Sequence, residues 1–385
     1  MTWGHASSTD LLHWEEKKPA LFPDENGDMW SGSGIVNSKS LLGLPNDALI
    51  FFYTANGAFK KPFEIYEAFS IDGGETLEKL PEKILAEPSR NKRDPKVFWH
   101  EESGAYVLVL WLEGNDFGIF RSKDLTHFEL ASRVTLESGY ECPDLFCLPV
   151  EGSEEKKWVF WAADGSYYVG DFDGYSFRQT ETRRRAYEGA VNLPYAAQTF
   201  SGDPKGRILS IAWLRTSSIE RTTTGAMSLV RALSLVKGPF GYQLKMALPE
   251  EVLDQKGEGK TLSSSGNSSS SFKLDEDGAI FADLHHDGAF SLVIRTENGD
   301  VTISLEKDER TLSLTGGIVT DFIGVGRMKV PEEFSVIYDR GILEISWNGQ
   351  TGLSINDLPY FRKSRVTEIL FSSEKEARAE IFVLN

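Results

Sequence analysis

The chain has 385 residues, a length that favours two domains. Its 40% apolar, 12% aromatic and 26% charged residues are the balance of a globular protein with extra aromatics. A net charge of -17 argues against a nucleic-acid or anionic-membrane surface, which needs clustered Lys and Arg, and no apolar run approaches the ~20 residues of a membrane span.

The N-terminal "MTWGHASSTD" has neither a basic n-region nor an apolar h-region, so no signal peptide is expected and a cytoplasmic location fits. Helical periodicity is scarce. Short runs rich in β-branched and aromatic residues recur instead: "ALIFFYTAN" (48–56), "AYVLVLWLE" (105–113), "DFGIFRS" (116–122), "KWVFWAAD" (157–164), "SYYVGDF" (166–172) and "RILSIAWLR" (207–215). Each has strand length and is bounded by Gly, Asp, Asn or Pro, so the chain is expected to be all-β. A faint repeat crosses the first 240 residues. Asp10 precedes Trp14 in "SSTDLLHWE", Asp72 precedes Leu77 in "SIDGGETLE", Asp124 precedes Phe128 in "RSKDLTHFE" and Asp173 precedes Phe177 in "GDFDGYSFR". Asp favours such turns because its side chain accepts hydrogen bonds from backbone N–H groups just ahead. The spacings are 62, 52 and 49 residues, and a unit of about 50 residues holds the four short strands of one propeller blade. Any hairpin array shows scattered Asp turns, but the shared S-x-D-L-x-H-aromatic wording of the first and third units favours the propeller.

Beyond residue 240 the texture changes. "LPEEVLDQ" (248–255) reads as a short helix, and the polar "KGEGKTLSSSGNSSSSF" (256–272) reads as a boundary that packs poorly. Alternating strands then resume. Asn298-Gly299 lies between "FSLVIRTE" and "DVTISLE", and Asn348-Gly349 follows "ILEISW"; Asn-Gly suits a type I′ hairpin turn. Roughly eight short strands there suggest a β-sandwich. The expected division is a propeller over 1–240, a linker over 241–262 and a sandwich over 263–385 that steadies the first domain. Cys142 and Cys147 have no neighbouring Cys or His ligands, so they read as two buried free thiols and neither a metal site nor a disulfide framework.

Three stretches of the first domain set polar groups beside Gly, Pro and aromatics. In "DMWSGSG" (28–34), Gly32 and Gly34 permit close backbone approach, Ser31 and Ser33 offer hydroxyls and Trp30 offers a flat face for a sugar ring. In "KRDPKVFW" (92–99), Arg93 is expected to keep Asp94 ionised, and Pro95 to hold it extended. An ionised Asp94 suits the acceptance of two sugar hydroxyls. In "SGYECPDLF" (138–146), Glu141 has largely apolar sequence neighbours, and desolvation there is expected to keep it protonated as a general acid. Alone, each stretch also reads as ordinary: a Gly/Ser strand edge, a surface Arg–Asp pair, a turn glutamate.

Taken in order, "WGHASSTDLLHW", "WSGSG", "RDP" and "ECPDLF" resemble successive signatures of glycoside hydrolase family 32, the β-fructofuranosidase group of invertases, sucrose-6-phosphate hydrolases, levanases and inulinases. "PYAAQTF" (194–200), "GRILSIAW" (206–213) and "FSVIYDRGILEISWNG" (334–349) extend the resemblance over nearly the whole chain. It implies a five-bladed β-propeller followed by a β-sandwich and retaining hydrolysis of a small or polymeric fructoside, sucrose or a fructan. Water is then the acceptor and no metal or cofactor is needed. It makes Glu141 the acid/base and Asp94 the transition-state stabiliser, with Arg93, Trp30 and Ser31 around the substrate.

The departure from the family is large. The family's nucleophile is the Asp of an N-D-P-N-G stretch on the first strand of blade one, well ahead of W-G-H. Here W-G-H begins at Trp3 and the stretch is missing. "PDENGD" (23–28) mimics it but lies directly before "WSGSG" with no strand pattern ahead, so it is rejected. Asn192 stands where many members have Asp. The expectation is an incomplete first blade with exposed strand edges, and a chain shortened from an active enzyme with little or no hydrolysis of its own. The alternatives are a fructan-binding pseudoenzyme, or one completed by another polypeptide. "SIDGGETLE" also resembles the Asp-box turn of sialidases, which makes a sialidase-like propeller a remote alternative.

Overall fold

The computed structural model describes residues 1–57, 61–87, 89–188, 194–216, 224–266, 268–274, 278–305, 311–316, 319–324, 333–347 and 349–384. Asn192 and Asn348 lie outside the described residues. The chain forms two compact units. One comprises Met1–Arg185, Tyr195–Ala212 and Leu229–Gln243; the other comprises Ala186–Pro194, Trp213–Ser228 and Leu244–Asn385. The second unit thus takes two short segments from within the 1–240 span expected for the propeller alone.

Five sheets follow one another along the first 247 residues. The first is β1 (Trp3–Ser7) with β2 (Glu15–Leu21). The second runs β3 (Met29–Val36), β4 (Leu49–Ala55), β5 (Glu64–Ser70) and β6 (Glu78–Lys79). The third runs β7 (Arg93–His100), β8 (Ala105–Glu113), β9 (Asp116–Ser122) and β10 (Glu129–Thr135). The fourth runs β11 (Asp144–Pro149), β12 (Lys156–Trp161), β13 (Ser166–Phe172) and β14 (Phe177–Gln179), with β15 (Arg184–Arg185) beside β13. The fifth comprises β16 (Pro194–Thr199), β17 (Ile208–Leu214), β18 (Ala226–Met227), β19 (Arg231–Gly238) and β20 (Gly241–Ala247). These are the blades of a five-bladed β-propeller.

The strand β8 shows why the sequence folds this way. It is buried along eight of its nine residues, so it reads as a continuous apolar run. Its side chains alternate between two cores. Tyr106, Leu108, Leu110 and Leu112 join Ile50, Phe52, Ile65 and Phe128 against the second sheet. Val107, Val109 and Trp111 join Leu145, Phe160, Tyr168 and Phe172 against the fourth.

The Asp turns carry the repeat. In the second sheet, Asp72 Oδ1 accepts from the Thr76 amide at 3.0 Å on the way from β5 to β6. Asp124 accepts from the Thr126 amide at 3.0 Å between β9 and β10. Asp173 accepts from the Tyr175 and Ser176 amides at 2.8 and 2.7 Å between β13 and β14. In each of these sheets the turn joins the third strand to the fourth. Asp10 does the same work between β1 and β2, accepting from the Leu12 and His13 amides at 3.0 and 2.8 Å. The two strands of the first sheet therefore correspond to the outer pair of a blade.

The second unit is a β-sandwich of two six-stranded sheets. Its strands are β21 (Lys260–Ser264), β22 (Ser269–Lys273), β23 (Ala279–His286), β24 (Phe290–Thr296), β25 (Gly299–Leu305), β26 (Thr311–Gly316), β27 (Val319–Gly324), β28 (Glu333–Asp339), β29 (Ile342–Trp347), β30 (Gly352–Asp357), β31 (Val366–Ser373) and β32 (Ala377–Leu384). The orders are β21-β32-β23-β28-β29-β30 and β22-β31-β24-β25-β26-β27. Ile280, Leu284, Val336 and Ile345 of one sheet meet Leu292, Ile294, Ile303 and Phe371 of the other. The expected short helix is α1 (Glu250–Leu253).

Two sequence expectations fail here. The Ser-rich run is not a loose boundary: β21 pairs with β32 and β22 with β31. Leu262 and Ser264 point inward, and Ser264 Oγ accepts from the Ser373 amide at 2.8 Å and donates to the Ser268 carbonyl at 2.6 Å, so the buried hydroxyl is satisfied. The hairpin between β24 and β25 does form, but Thr296 pairs with Gly299 across Glu297 and Asn298. Gly299 is the first residue of β25, with φ 133°, and is not a central turn residue.

Candidate functional site

The candidate residues gather at the starts of the inner strands. Trp30 and Ser31 follow the first residue of β3, Asp94 is the second residue of β7, Glu141 lies three residues before β11 and Tyr195 is the second residue of β16. Equivalent positions in successive blades thus bring separate stretches of sequence together.

Backbone irregularities aim them. Between Trp30 and Gly32 the pairing of β3 with β4 slips, leaving Ser31 as an extra residue. Between Arg93 and Lys96 the pairing of β7 with β8 slips in the same way. These are β-bulges, which redirect side chains at the rims of sheets. Asp94 has φ 63°, Glu141 φ 57°, Cys142 φ 39° and Ala196 φ 51°, all in the left-handed region without being glycine. Such conformations cost free energy and concentrate at functional sites. The extended conformation expected from Pro95 is not adopted, because the bulge holds Asp94 at positive φ.

Asp94 is almost fully buried. Its Oδ2 accepts from the Cys142 amide at 3.0 Å and lies 3.8 Å from Arg93 Nε. No nitrogen or oxygen donor of the described residues reaches its Oδ1. Burial raises its carboxyl above the ordinary value, and the Cys142 amide and Arg93 oppose this without overcoming it. Arg93 favours the ionised form as expected, but desolvation is the larger effect and acts against it. The Asp94 amide donates to Thr54 Oγ1 at 3.1 Å, and that hydroxyl donates to the Ser31 carbonyl at 3.1 Å, so Thr54 of β4 ties the two bulges together.

Glu141 meets polar groups, not the apolar surroundings its sequence neighbours suggested. Arg93 Nη2 donates to Oε1 and the Tyr195 hydroxyl to Oε2. Arg93 is itself fixed: its guanidinium lies 3.8 Å from the Trp111 ring centroid, and Nη1 donates to the Asn91 carbonyl at 3.0 Å. Burial and then the Glu141 contact push the Tyr195 hydroxyl far up, so it stays a donor at all ordinary pH. Beneath the loop, Cys142 packs with Ala163, Tyr195 and Ala196. Burial raises the Cys142 thiol well above its usual value, and Cys147 is only half-buried, which corrects the expectation of two buried thiols.

Trp30 is half-buried, with its ring edge-to-face on Phe63 at 5.1 Å. Its Nε1 is buried without an acceptor among the described residues. Ser31 is exposed at the bulge. Asp24 of "PDENGD" is spent on a tight turn, accepting from the Asn26 amide at 2.8 Å and pairing with Lys79 at 2.6 Å.

Two parts of the site escaped sequence reasoning. Tyr195 lies 54 residues beyond Glu141; its signal was its place at the start of the fourth complete blade. The second is a buried ion pair under the site. Lys96 Nζ contacts Asp144 Oδ2 at 3.0 Å and the Thr199 carbonyl at 2.6 Å, and the Thr199 amide donates to Asp144 at 2.7 Å. It clamps β7, β11 and β16 together.

Two carboxylates, a guanidinium and a tyrosine thus stand together at the starts of the inner strands of a propeller, an arrangement that suits a β-propeller glycoside hydrolase. The family described as "Glycosyl hydrolases family 32 N-terminal domain" matches residues 1–246, and the chain belongs to that family. An invertase of Debaryomyces hansenii is 34% identical over 233 residues, 55% of this chain and 43% of that protein. A levanase of Bacillus subtilis is 34% identical over 238 residues, 56% of this chain and 35% of that protein. The matched part is thus less than half of these relatives. The solved fructofuranosidase of Schwanniomyces occidentalis with fructose superposes with a TM-score of 0.85 at 24% identity, covering 100% of this chain and 89% of that one, which shows the fold.

Proposed function

We propose that the chain acts on β-fructofuranosides and carries the leaving-group and ring-recognition parts of a retaining glycosidase site. The observation that carries this is the convergence of Asp94, Glu141, Arg93 and Tyr195 at the starts of three inner strands. Glu141 is the group that would protonate the glycosidic oxygen as the bond breaks, and it must first take up a proton, because Arg93 and Tyr195 both donate to its carboxylate here. Arg93 and Tyr195 hold one carboxylate oxygen each and so fix its direction. Asp94 uses its carboxyl oxygens to accept hydroxyls of the fructosyl ring, and its burial strengthens those bonds. Trp30 and Ser31 border the ring. A retaining reaction also needs an attacking carboxylate ~5–5.5 Å from the acid. The 385 residues contain no N-D-P-N-G stretch, so these residues bind a fructoside and turn it over slowly or not at all.

Calorimetric titration with a short fructo-oligosaccharide, and fructose release from sucrose, inulin and levan, test this. Asp94→Asn is expected to weaken binding about tenfold or more, the size of a lost hydrogen bond to a buried group. Binding that Asp94→Asn leaves unchanged would refute the reading of the site. Rapid fructose release abolished by Glu141→Gln would show that a nucleophile is present after all.

A further inference from the structure

The outward face of one sandwich sheet carries a polar cleft of about 670 Å³, within the ~300–1,000 Å³ range of small-molecule sites. Three of its lining side chains, Ser263, Arg378 and His285, form a row across three strands, and Glu333 continues that row beyond the cleft. Ser263 of β21 stands opposite Arg378 of β32, Arg378 opposite His285 of β23, and His285 opposite Glu333 of β28. Directly paired residues share one face with their Cβ atoms ~4.5–5.5 Å apart. The flanking residues Leu262, Ala379 and Leu284 turn into the core, which fixes the row on the outer face. Glu376 and Asp287 stand at the rim.

The chemistry of the cleft is mixed. Arg378 supplies a fork of donors, Glu376 and Asp287 supply acceptors, and the serines supply both. Among the described residues, no side-chain hydrogen bond or ion pair joins Arg378, Glu376 or Asp287 to a protein partner. His285 Nδ1 lies 4.0 Å from Glu333. Two carboxylates beside one guanidinium disfavour an anion. No group of three or more His, Cys, Asp or Glu among the described residues is placed to hold a metal ion. A ligand matching free donors and free acceptors together, without net charge, is a polyhydroxyl compound.

We propose that this cleft is a carbohydrate-binding site of the sandwich, separate from the propeller site and taking a neutral sugar chain. The Ser-rich run supplies its hydroxyl wall. The cleft anchors a polysaccharide independently of any catalysis at Glu141.

Affinity electrophoresis of the full 385-residue chain in gels containing inulin, levan or dextran tests this. The Asp94→Asn variant removes the propeller contribution. That variant is expected to remain retarded by at least one polymer. Adding Arg378→Ala, or Ser263→Trp to fill the cleft without removing a charge, is expected to weaken retardation about tenfold with an unchanged unfolding midpoint. Loss of all retardation in Asp94→Asn, or retardation that survives both cleft substitutions, overturns the proposal. The difference between the unmodified chain and Asp94→Asn reports on the propeller site alone, so the two readings fail separately.

Discussion

Glu67 is a buried carboxyl with no role at the site, and it sets a pH limit on stability. It lies on β5 opposite Phe52 and on the same face as Ile65, toward the core shared by the second and third blades. Only 2% of it is exposed, and its Oε1 has no hydrogen-bond partner. Burial, with a smaller push from the Asp124 carboxylate, raises it to about 8 from an ordinary 4.5. The folded protein therefore keeps a proton that the unfolded chain has released. Stability from this group is complete below pH 4.5, falls as pH rises from there to about 8, and is lost above that. At ~1.36 kcal/mol per pH unit, the whole fall is on the order of 4–5 kcal/mol. Glu67→Gln replaces the carboxyl with a neutral amide, whose effect is a constant offset. Urea unfolding at pH 5, 6.5 and 8.5 measures the result. The stability difference between Glu67→Gln and the unmodified chain should shift in favour of the variant by several kcal/mol across that range. Parallel pH profiles would refute the reasoning, because they would mean that Glu67 titrates alike in both states.

Two further perturbations probe the scaffold. Lys96→Met leaves Asp144, 1% exposed, without its cation, and should cost about 3–5 kcal/mol in urea unfolding despite the remaining Thr199 donors. Gly32→Ala places a Cβ 1.8 Å from the Phe52 carbonyl oxygen, so the bulge that presents Ser31 must shift. A loss of roughly 3 kcal/mol or more is expected, while Gly4→Ala, whose Cβ meets nothing within 4 Å, should be far milder; thermal unfolding of the two variants makes the comparison.

Features built from short-range chemistry were legible in the sequence. The four Asp turns depend on one side chain and the amides two to four residues ahead, so they could be read one by one. β8 also showed directly as a strand, in a run of nearly unbroken apolar residues, although its division between two cores did not. Features set by distant partners did not show. The sequence neighbours of Glu141 are apolar, but its carboxylate is met by Arg93, 48 residues earlier, and by Tyr195. Asp94 next to Arg93 reads as an ion pair, yet the depth at which β7 holds it outweighs that neighbour. The serines of β21 and β22 look unable to pack, but strand pairing satisfies their backbone and alternate residues such as Leu262 reach the core.

The blade repeat also explains which part of the chemistry is present. β3, β7 and β16 deliver site residues from their starts, and the loop before β11 delivers Glu141. By the same register, the start of the inner strand of the first blade is a further place from which a side chain could enter the group. The Asp10 turn identifies β1 and β2 as the outer pair of that blade. The start of its inner strand is also the place to which the family resemblance assigns the nucleophile. General acid catalysis alone is worth ~10²–10⁴-fold, and it acts on the leaving oxygen, whereas the covalent intermediate needs a carboxylate at the anomeric carbon. Under the proposed function, the arrangement around Glu141 and Asp94 binds a fructosyl unit and polarises its bond. Under the same proposal, full turnover needs a carboxylate entering from the inner edge of the first blade.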